Sequence, residues 1–121
     1  MRTTLDDGTS VWSNTAVLCV GASYNGFSQL RKLSLHSIKG QVATLSRPAG
    51  MSRLPCLSGS GYIVDNGDTI VVGSSYAHDF EDLNPSEEVS QAIRDKVSKM
   101  VPELGDCEII RQSAGVRVTV G

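Results

Sequence analysis

The chain has 121 residues (12.9 kDa), of which 40% are hydrophobic and 20% charged, with a formal net charge of −2 and a pI near 5.6. This composition is typical of one globular domain and excludes disordered and fibrous proteins. No apolar run approaches the ~20 residues of a membrane span, and the N-terminus lacks the apolar stretch of a signal peptide, so we expect a cytoplasmic protein.

The first element along the chain is a predicted hairpin. Asp7-Gly8 is a strong tight-turn signal and joins the strand formers Thr3–Leu5 to Thr9–Trp12. Farther on, residues 23–34 contain glycine, aromatic and basic residues, and they predict a loop with a short helical turn.

An apolar run of strand length, Ala16–Val20, ends at Gly21. Such a continuous run predicts a strand that is buried on both faces, and Cys19 within it is then expected to be a buried, inert thiol. Together with Cys56 and Cys107 it makes an odd set without CxxC spacing, so neither a disulfide framework nor a metal site is expected.

The middle of the chain predicts a β region. Leu35–Leu45 is a strand candidate interrupted by Lys39-Gly40, where glycine indicates a bulge or the close approach of another group to the backbone. Residues 47–55 predict a surface connection. Gly61–Val64 and Thr69–Gly73 flank an Asn-Gly tip and predict a hairpin.

One main helix is predicted over about 85–101. Asn84 is expected as its N-cap, with Pro85 at the first helical position, Glu87 completing a capping box, and Pro102 ending the helix. The apolar residues at helical spacing form one stripe: Val89, Ile93, Val97 and Met100 or Val101.

Two short strands, Cys107–Arg111 and Val116–Val120, are predicted at the end of the chain, separated by a Ser-Ala-Gly segment. About six strands and one good helix predict an α+β fold, with a mostly antiparallel sheet covered on one side. We expect residues 1–121 to form a single domain that is a fragment of a larger protein, because the last strand runs to Gly121 without a cap or tail.

No self-contained catalytic constellation is visible in the sequence. His36 and His78 are predicted to lie on the sheet surface and in a solvated loop, and no GxSxG accompanies them. The sequence also lacks a P-loop, a GxGxxG dinucleotide fingerprint and the spacing of an EF-hand. We therefore name no catalytic residue.

Arg117 stands in an otherwise apolar strand and has two interpretations. By alternation, Val116, Val118 and Val120 would face the core, while Arg117 and Thr119 would face water. Alternatively, the guanidinium forms an anion clamp, because its planar fork matches a carboxylate and a tyrosine hydroxyl can donate a further hydrogen bond. The tyrosines that flank the central hairpin are Tyr62 and Tyr76.

The order of these segments resembles the middle part of the FAD-dependent amine oxidoreductases of the D-amino-acid oxidase and glycine oxidase family. The segments that carry the resemblance are Ala16–Ser23, Ile38–Val42, Gly61–Val64, Ile70–Tyr76, the helix 85–101 and Ala114–Arg117. Within the family, they look most like the oxidoreductase domain of the bifunctional tRNA 5-methylaminomethyl-2-thiouridine biosynthesis proteins. Asp65 and Val118 depart from the pattern, since many members have proline there.

The resemblance implies oxidation of a C–N bond in an amino acid or a carboxymethylaminomethyl-type amine. Arg117 would clamp the substrate carboxylate, Tyr62 would assist it and Tyr76 would line the pocket, so we expect Arg117 and Tyr62 to project from one sheet face into a shared cavity. The residues implied to let backbone approach the FAD are Gly21, Ala22, Gly115 and Val116. FAD is expected in the full-length parent but not on this chain alone.

Two alternatives stay open. In the first, the chain is a non-catalytic binding or interaction module. In the second, it is part of a tRNA-modifying oxidoreductase whose loosely basic region faces the phosphates of the tRNA. That region consists of Arg31, Lys32, Lys39, Arg47 and Arg53. Its residues are equally consistent with ordinary solvated surface lysines and arginines that bind no partner. The partners expected are an amine substrate and the remainder of the FAD domain; tRNA is not favoured, and no membrane is expected.

Overall fold

The computed structural model describes all 121 residues. Its strands are β1 (Arg2–Thr4), β2 (Ser10–Trp12), β3 (Leu35–Ser46), β4 (Leu57–Ser58), β5 (Tyr62–Asp65), β6 (Thr69–Gly73) and β7 (Ile109–Val120). The helix α1 spans Glu87–Ser98, and short 3₁₀ segments span Gly21–Gly26, Ser28–Leu30 and Pro102–Leu104. β1 and β2 form their own hairpin, whereas the other strands form one antiparallel sheet in the order β4-β5-β6-β3-β7. The predicted α+β class and both predicted hairpins are confirmed.

The core lies between one face of this sheet and α1. Because side chains alternate along a strand, every second residue of β3, β5 and β6 points at the helix. The fully or nearly fully buried members of this layer are Ala43, Leu45, Ile63, Ile70, Val72, Ile93, Val97, Val101, Leu104 and Cys107. The apolar stripe predicted for the helix is therefore the stripe that covers the sheet. The opposite face of the sheet has no α-helix packed on it and is called the open face below.

The start of α1 differs from the prediction. Ser86, not Asn84, is the N-cap, and it makes no side-chain capping bond. The buried Gln41 of β3 takes over this role: its Oε1 accepts from the Ser86 backbone N–H at 2.9 Å, and its Nε2 donates to the Ser86 carbonyl at 2.6 Å and to Ser90 Oγ at 2.7 Å. A tertiary contact with the sheet thus replaces the local capping box.

The run Ala16–Val20 is not a strand. It is irregular and largely exposed, with Val17 82% accessible, and Cys19 is exposed rather than buried. A strand needs a neighbour for its backbone hydrogen bonds, and no strand of this chain pairs with the run. Apolar sequence alone therefore predicted burial that the tertiary structure of this chain does not supply.

β7 is one continuous strand instead of two. It pairs with β3 from Ile109 to Val120, so the Ser-Ala-Gly segment does not interrupt it. Alternation holds for the exposed Arg117, but Val120 is 74% exposed because β7 is an edge strand and its end lies beyond the core. No helix in the structure is long and apolar enough to cross a lipid bilayer.

The tip of the β5–β6 hairpin is fixed by Asp65. Its carboxylate pairs with Arg47 Nη2 and lies 2.9 Å from Arg53 Nη1, and it accepts the backbone N–H groups of Leu54 at 2.8 Å and Gly67 at 3.0 Å. The connection after β3 is therefore tied to the hairpin. A proline at this position would remove all four contacts.

Candidate functional site

The face of the sheet turned away from α1 carries the residues predicted to bind substrate. In an antiparallel sheet, opposed residues share a face, as do alternate residues along a strand. Tyr62 opposes Gly73, which opposes Val42 of β3. Ile38, four residues before Val42, opposes Arg117 of β7. Tyr62 and Arg117 therefore project from the same face, and this part of the prediction is confirmed.

Gly73 determines where the Tyr62 phenol lies. A β carbon built on Gly73 would sit 2.6 Å from the Tyr62 hydroxyl oxygen, well inside the closest real contact. Only glycine leaves room for the ring at this position. The sequence shows a tyrosine and a glycine in the two strands of the hairpin, but only the strand register shows that they lie opposite each other.

Arg117 lies across Gly40 and stacks on Tyr76. Its Cζ atom is 4.7 Å from the centroid of the Tyr76 ring, a cation–π distance. A β carbon on Gly40 would come within 3.2 Å of Arg117 Nη2. Gly40 is thus a site of close approach; the alternative of a bulge is wrong here, because pairing continues through Gly40 and becomes irregular only after Thr44.

The segment after β6 holds Tyr76 in place. The Ser75 hydroxyl accepts a hydrogen bond from the Gln41 backbone N–H at 2.9 Å, and the Ser75 N–H donates to the Gln41 carbonyl at 3.1 Å. Ala77 exchanges two backbone hydrogen bonds of 2.9 Å with Lys39. The backbone is therefore fixed on both sides of Tyr76, whose side chain is 61% exposed.

Two pockets adjoin at these side chains. One of about 160 Å³ is lined by Ser58, Gly59, Ser60, Gly61, Tyr62, Gly73, Ser74, Tyr76 and Lys96. The other, of about 230 Å³, is lined by Gly40, Val42, Ser74, Gly115, Val116 and Arg117. The predicted single cavity is thus two neighbouring pockets that meet at the buried Ser74. No acidic residue lines either pocket.

Charge around the site is positive. Neither Arg117 nor Lys96 forms an ion pair with a carboxylate. The Ser74 hydroxyl and then the Arg117 guanidinium lower the pKa of Tyr76 from its ordinary value, because both stabilise the phenolate. The arrangement is suited to bind an anion.

The residues implied to approach FAD occupy two neighbouring segments. Gly115 and Val116 directly precede Arg117, and nothing lies within 4 Å of a β carbon built on Gly115. Gly21 and Ala22 begin a 3₁₀ segment that lies beside β7, and Gly21 has a φ of +49° and equally open surroundings. The two glycines therefore leave their surroundings open, and the role of all four residues toward FAD stays a prediction.

The loosely basic region is partly neutralised by internal ion pairs. Lys39 pairs with Asp82 at 3.4 Å, and Arg47 and Arg53 both pair with Asp65. The histidines are exposed, as predicted. No group of three or more His, Cys, Asp or Glu side chains is placed to hold a metal ion.

Comparison with known sequences identifies the family to which the chain belongs. The profile of the DAO family, described as FAD dependent oxidoreductase, matches residues 2–120. The chain belongs to this family. An opine oxidase polypeptide from Rhizobium meliloti is 30% identical over 113 residues, and its namesake from Agrobacterium tumefaciens (strain Ach5) is 28% identical over 111. These alignments cover 92% and 90% of the chain but only 30% and 29% of the relatives, so the chain spans less than a third of their length.

Two solved oxidase structures share the fold. Iminodiacetate oxidase from Chelativorans sp. BNC1 superposes with a TM-score of 0.76 at 20% identity, covering 96% of this chain and 33% of that one. Glycine oxidase from Geobacillus kaustophilus gives 0.67 at 19% identity, covering 93% and 32%. The antiparallel sheet with its single helix is thus an architecture found within these two oxidases.

Proposed function

We propose that this chain is the substrate-binding portion of an FAD-dependent oxidoreductase that oxidises the C–N bond of an amine bearing a carboxylate. The observation that carries the proposal is Arg117, an unpaired guanidinium held by Gly40 and Tyr76 on the same open face as Tyr62. The names of the relatives support it, since glycine, iminodiacetate and opines are all amines with a carboxylate.

The proposed roles follow from hydrogen-bonding chemistry. Arg117 presents two parallel N–H donors, which match the two oxygens of a carboxylate, and its stacking on Tyr76 limits where that fork can point. The Tyr62 hydroxyl donates a further hydrogen bond to the same substrate. Holding the carboxylate in this way orients the neighbouring C–H bond, which is what oxidation at that carbon requires.

FAD, when bound, supplies a hydride acceptor for the carbon beside the amine. Gly115 and Gly21 fit an approaching flavin, because both leave open space where a side chain would otherwise stand. We propose that stable FAD binding needs residues outside this chain, since no GxGxxG unit is present in it. We also propose, from the sequence, that the oxidoreductase is cytoplasmic.

The test compares amines with and without the carboxylate. In the FAD-loaded full-length oxidoreductase, N-methylglycine is compared with dimethylamine, and glycine with methylamine, by anaerobic bleaching of the flavin. We expect kcat/KM to fall at least about 100-fold when the carboxylate is missing, because the guanidinium is then left without its partner. Equal rates for the two members of each pair, or a full-length protein without flavin, would contradict the proposal.

Gly40→Ala tests whether the position of Arg117 matters. The added β carbon meets the far end of a flexible side chain at 3.2 Å, so we expect the fold to persist while the guanidinium shifts. The KM for the carboxylate-bearing amine should rise about 3- to 10-fold, since small displacements of a positioning group weaken orientation. Gly26→Ala is the control, because nothing lies within 4 Å of its β carbon. An unchanged KM in Gly40→Ala would show that this close approach has no role in binding.

A further inference from the structure

We propose that Lys96 binds a second carboxylate, so that the preferred substrate is a secondary amine carrying a carboxylate on both sides of its nitrogen. This inference rests on the proposed function of Arg117 and goes beyond it by naming the substrate class. It assigns the pocket between Tyr62, Tyr76 and Lys96 as the second carboxylate site.

The placement of Lys96 carries the inference. It is half-buried and lines the 160 Å³ pocket together with Tyr62, Tyr76 and Ser74, while Arg117 lines the adjoining pocket that shares Ser74. Lys96 and Arg117 therefore approach the two tyrosines from different elements, Lys96 from α1 and Arg117 from β7. Under this proposal, a substrate lying over Ser74 spans the two pockets and places one carboxylate in each.

The wall of the 160 Å³ pocket packs directly against the C-terminal end of α1. The segment from Ser58 to Gly61 passes close to the end of α1: a β carbon on Gly61 would meet Val97 Cγ1 at 3.1 Å, and one on Gly59 would meet Met100 Cε at 3.2 Å. Both contacts come from residues adjacent to Lys96 or one turn after it. The end of the helix thus packs against this segment, and Lys96, which neighbours Val97, lines the pocket beside it.

The charge balance of the pocket indicates what Lys96 binds. Each of the protein's ion pairs uses Lys39, Arg47 or Arg53, so Lys96 has no internal carboxylate partner. No acidic residue lines its pocket, whereas the hydroxyls of Ser58, Ser60 and Ser74 line it and are able to donate hydrogen bonds. Lys96 also contributes to lowering the pKa of Tyr76, in agreement with their proximity. A half-buried ammonium among hydroxyls, without an anion, is suited to a ligand carboxylate.

The experiment measures a specificity ratio in the FAD-loaded full-length oxidoreductase. Iminodiacetate and N-methylglycine share the secondary amine and one carboxylate and differ in the second. We expect Lys96→Gln to lower the ratio of their kcat/KM values, iminodiacetate over N-methylglycine, about 10- to 100-fold, mainly through the KM for iminodiacetate. Lys96→Arg, which keeps the charge, should restore most of the ratio. Lys99→Gln is the matched control, since Lys99 is exposed and lines neither pocket.

A second readout does not depend on turnover. Diglycolate and methoxyacetate replace the amine by an ether oxygen and likewise differ by one carboxylate, and their binding is measured by calorimetry. Lys96→Gln should weaken diglycolate binding about 10-fold or more relative to methoxyacetate. An unchanged ratio in both assays would overturn the role of Lys96 while leaving the proposed function intact. A wild-type protein that oxidises neither amine and binds neither ether would overturn the proposed function and this inference together.

Discussion

Arg117→Ala should raise the KM for a carboxylate-bearing amine about 10- to 100-fold in the full-length oxidoreductase. The variant removes the planar donor pair from the open face, and a hydrogen bond to a charged group contributes roughly 1.5–3 kcal/mol. The KM of Arg117→Lys should lie between those of the wild type and Arg117→Ala, because an ammonium keeps the charge but lacks the planar pair of donors that a carboxylate matches. Steady-state kinetics over a range of substrate concentrations gives both values.

The matched control for this variant is Arg111→Ala. Arg111 is an exposed arginine six residues earlier in β7, where it opposes Thr44 on the same sheet face and lines neither pocket at Arg117. Six residues along a strand correspond to about 20 Å, so its loss should leave the KM unchanged. Equal effects of Arg111→Ala and Arg117→Ala on the KM would show that Arg117 acts only through the overall charge. That result would contradict a specific contact between Arg117 and the substrate carboxylate.

Asp65→Asn should lower the melting temperature at pH 7 by about 5–10 °C. The Asp65 side chain is only 6% exposed and holds Arg47, which is itself 16% exposed and donates to the carbonyls of Gly67, Met51 and Ser52. An amide cannot balance the charge of that arginine, so the connection after β3 and the hairpin tip lose their common anchor. Thermal denaturation followed by circular dichroism measures the change.

The same carboxylate makes stability depend on pH. Arg47, followed by the backbone N–H groups of Leu54 and Gly67, holds the pKa of Asp65 well below its usual range. The unfolded chain, with a pKa of about 3.9, therefore binds this proton more readily than the folded one. The stabilisation is complete above about pH 5 and is lost progressively as the pH falls from there toward the lowered pKa of the folded protein.

The difference in melting temperature between wild type and Asp65→Asn should accordingly shrink between pH 5 and pH 3. Asp68→Asn serves as the control, because Asp68 is exposed in the same hairpin and forms no ion pair. A difference that stays constant over this pH range would show that the ionised carboxylate is not the source of the effect.

Local sequence signals predicted those elements whose information is local. The Asn-Gly tip, the Asp-Gly turn and the stripe from Val89 to Val101 depend on turn conformation and helical spacing, and the structure contains all three. The anion-site candidates were also named from the sequence, because an arginine stands in an otherwise apolar strand and two tyrosines flank the central hairpin. The family resemblance, carried by the order of the segments, was confirmed by the profile match.

The sequence by itself therefore determined the helix, both hairpins, the fold class and the residues worth examining. Only the tertiary structure decided that Ala16–Val20 lacks a partner strand, that Gln41 replaces the expected helix cap, and that Gly40 and Gly73 form the floor under Arg117 and Tyr62. It alone also brought Lys96 to the same site from a distant helix. The physical reason is that turn and helix preferences act between residues a few positions apart, whereas strand pairing, burial and close approach depend on what distant segments place opposite them.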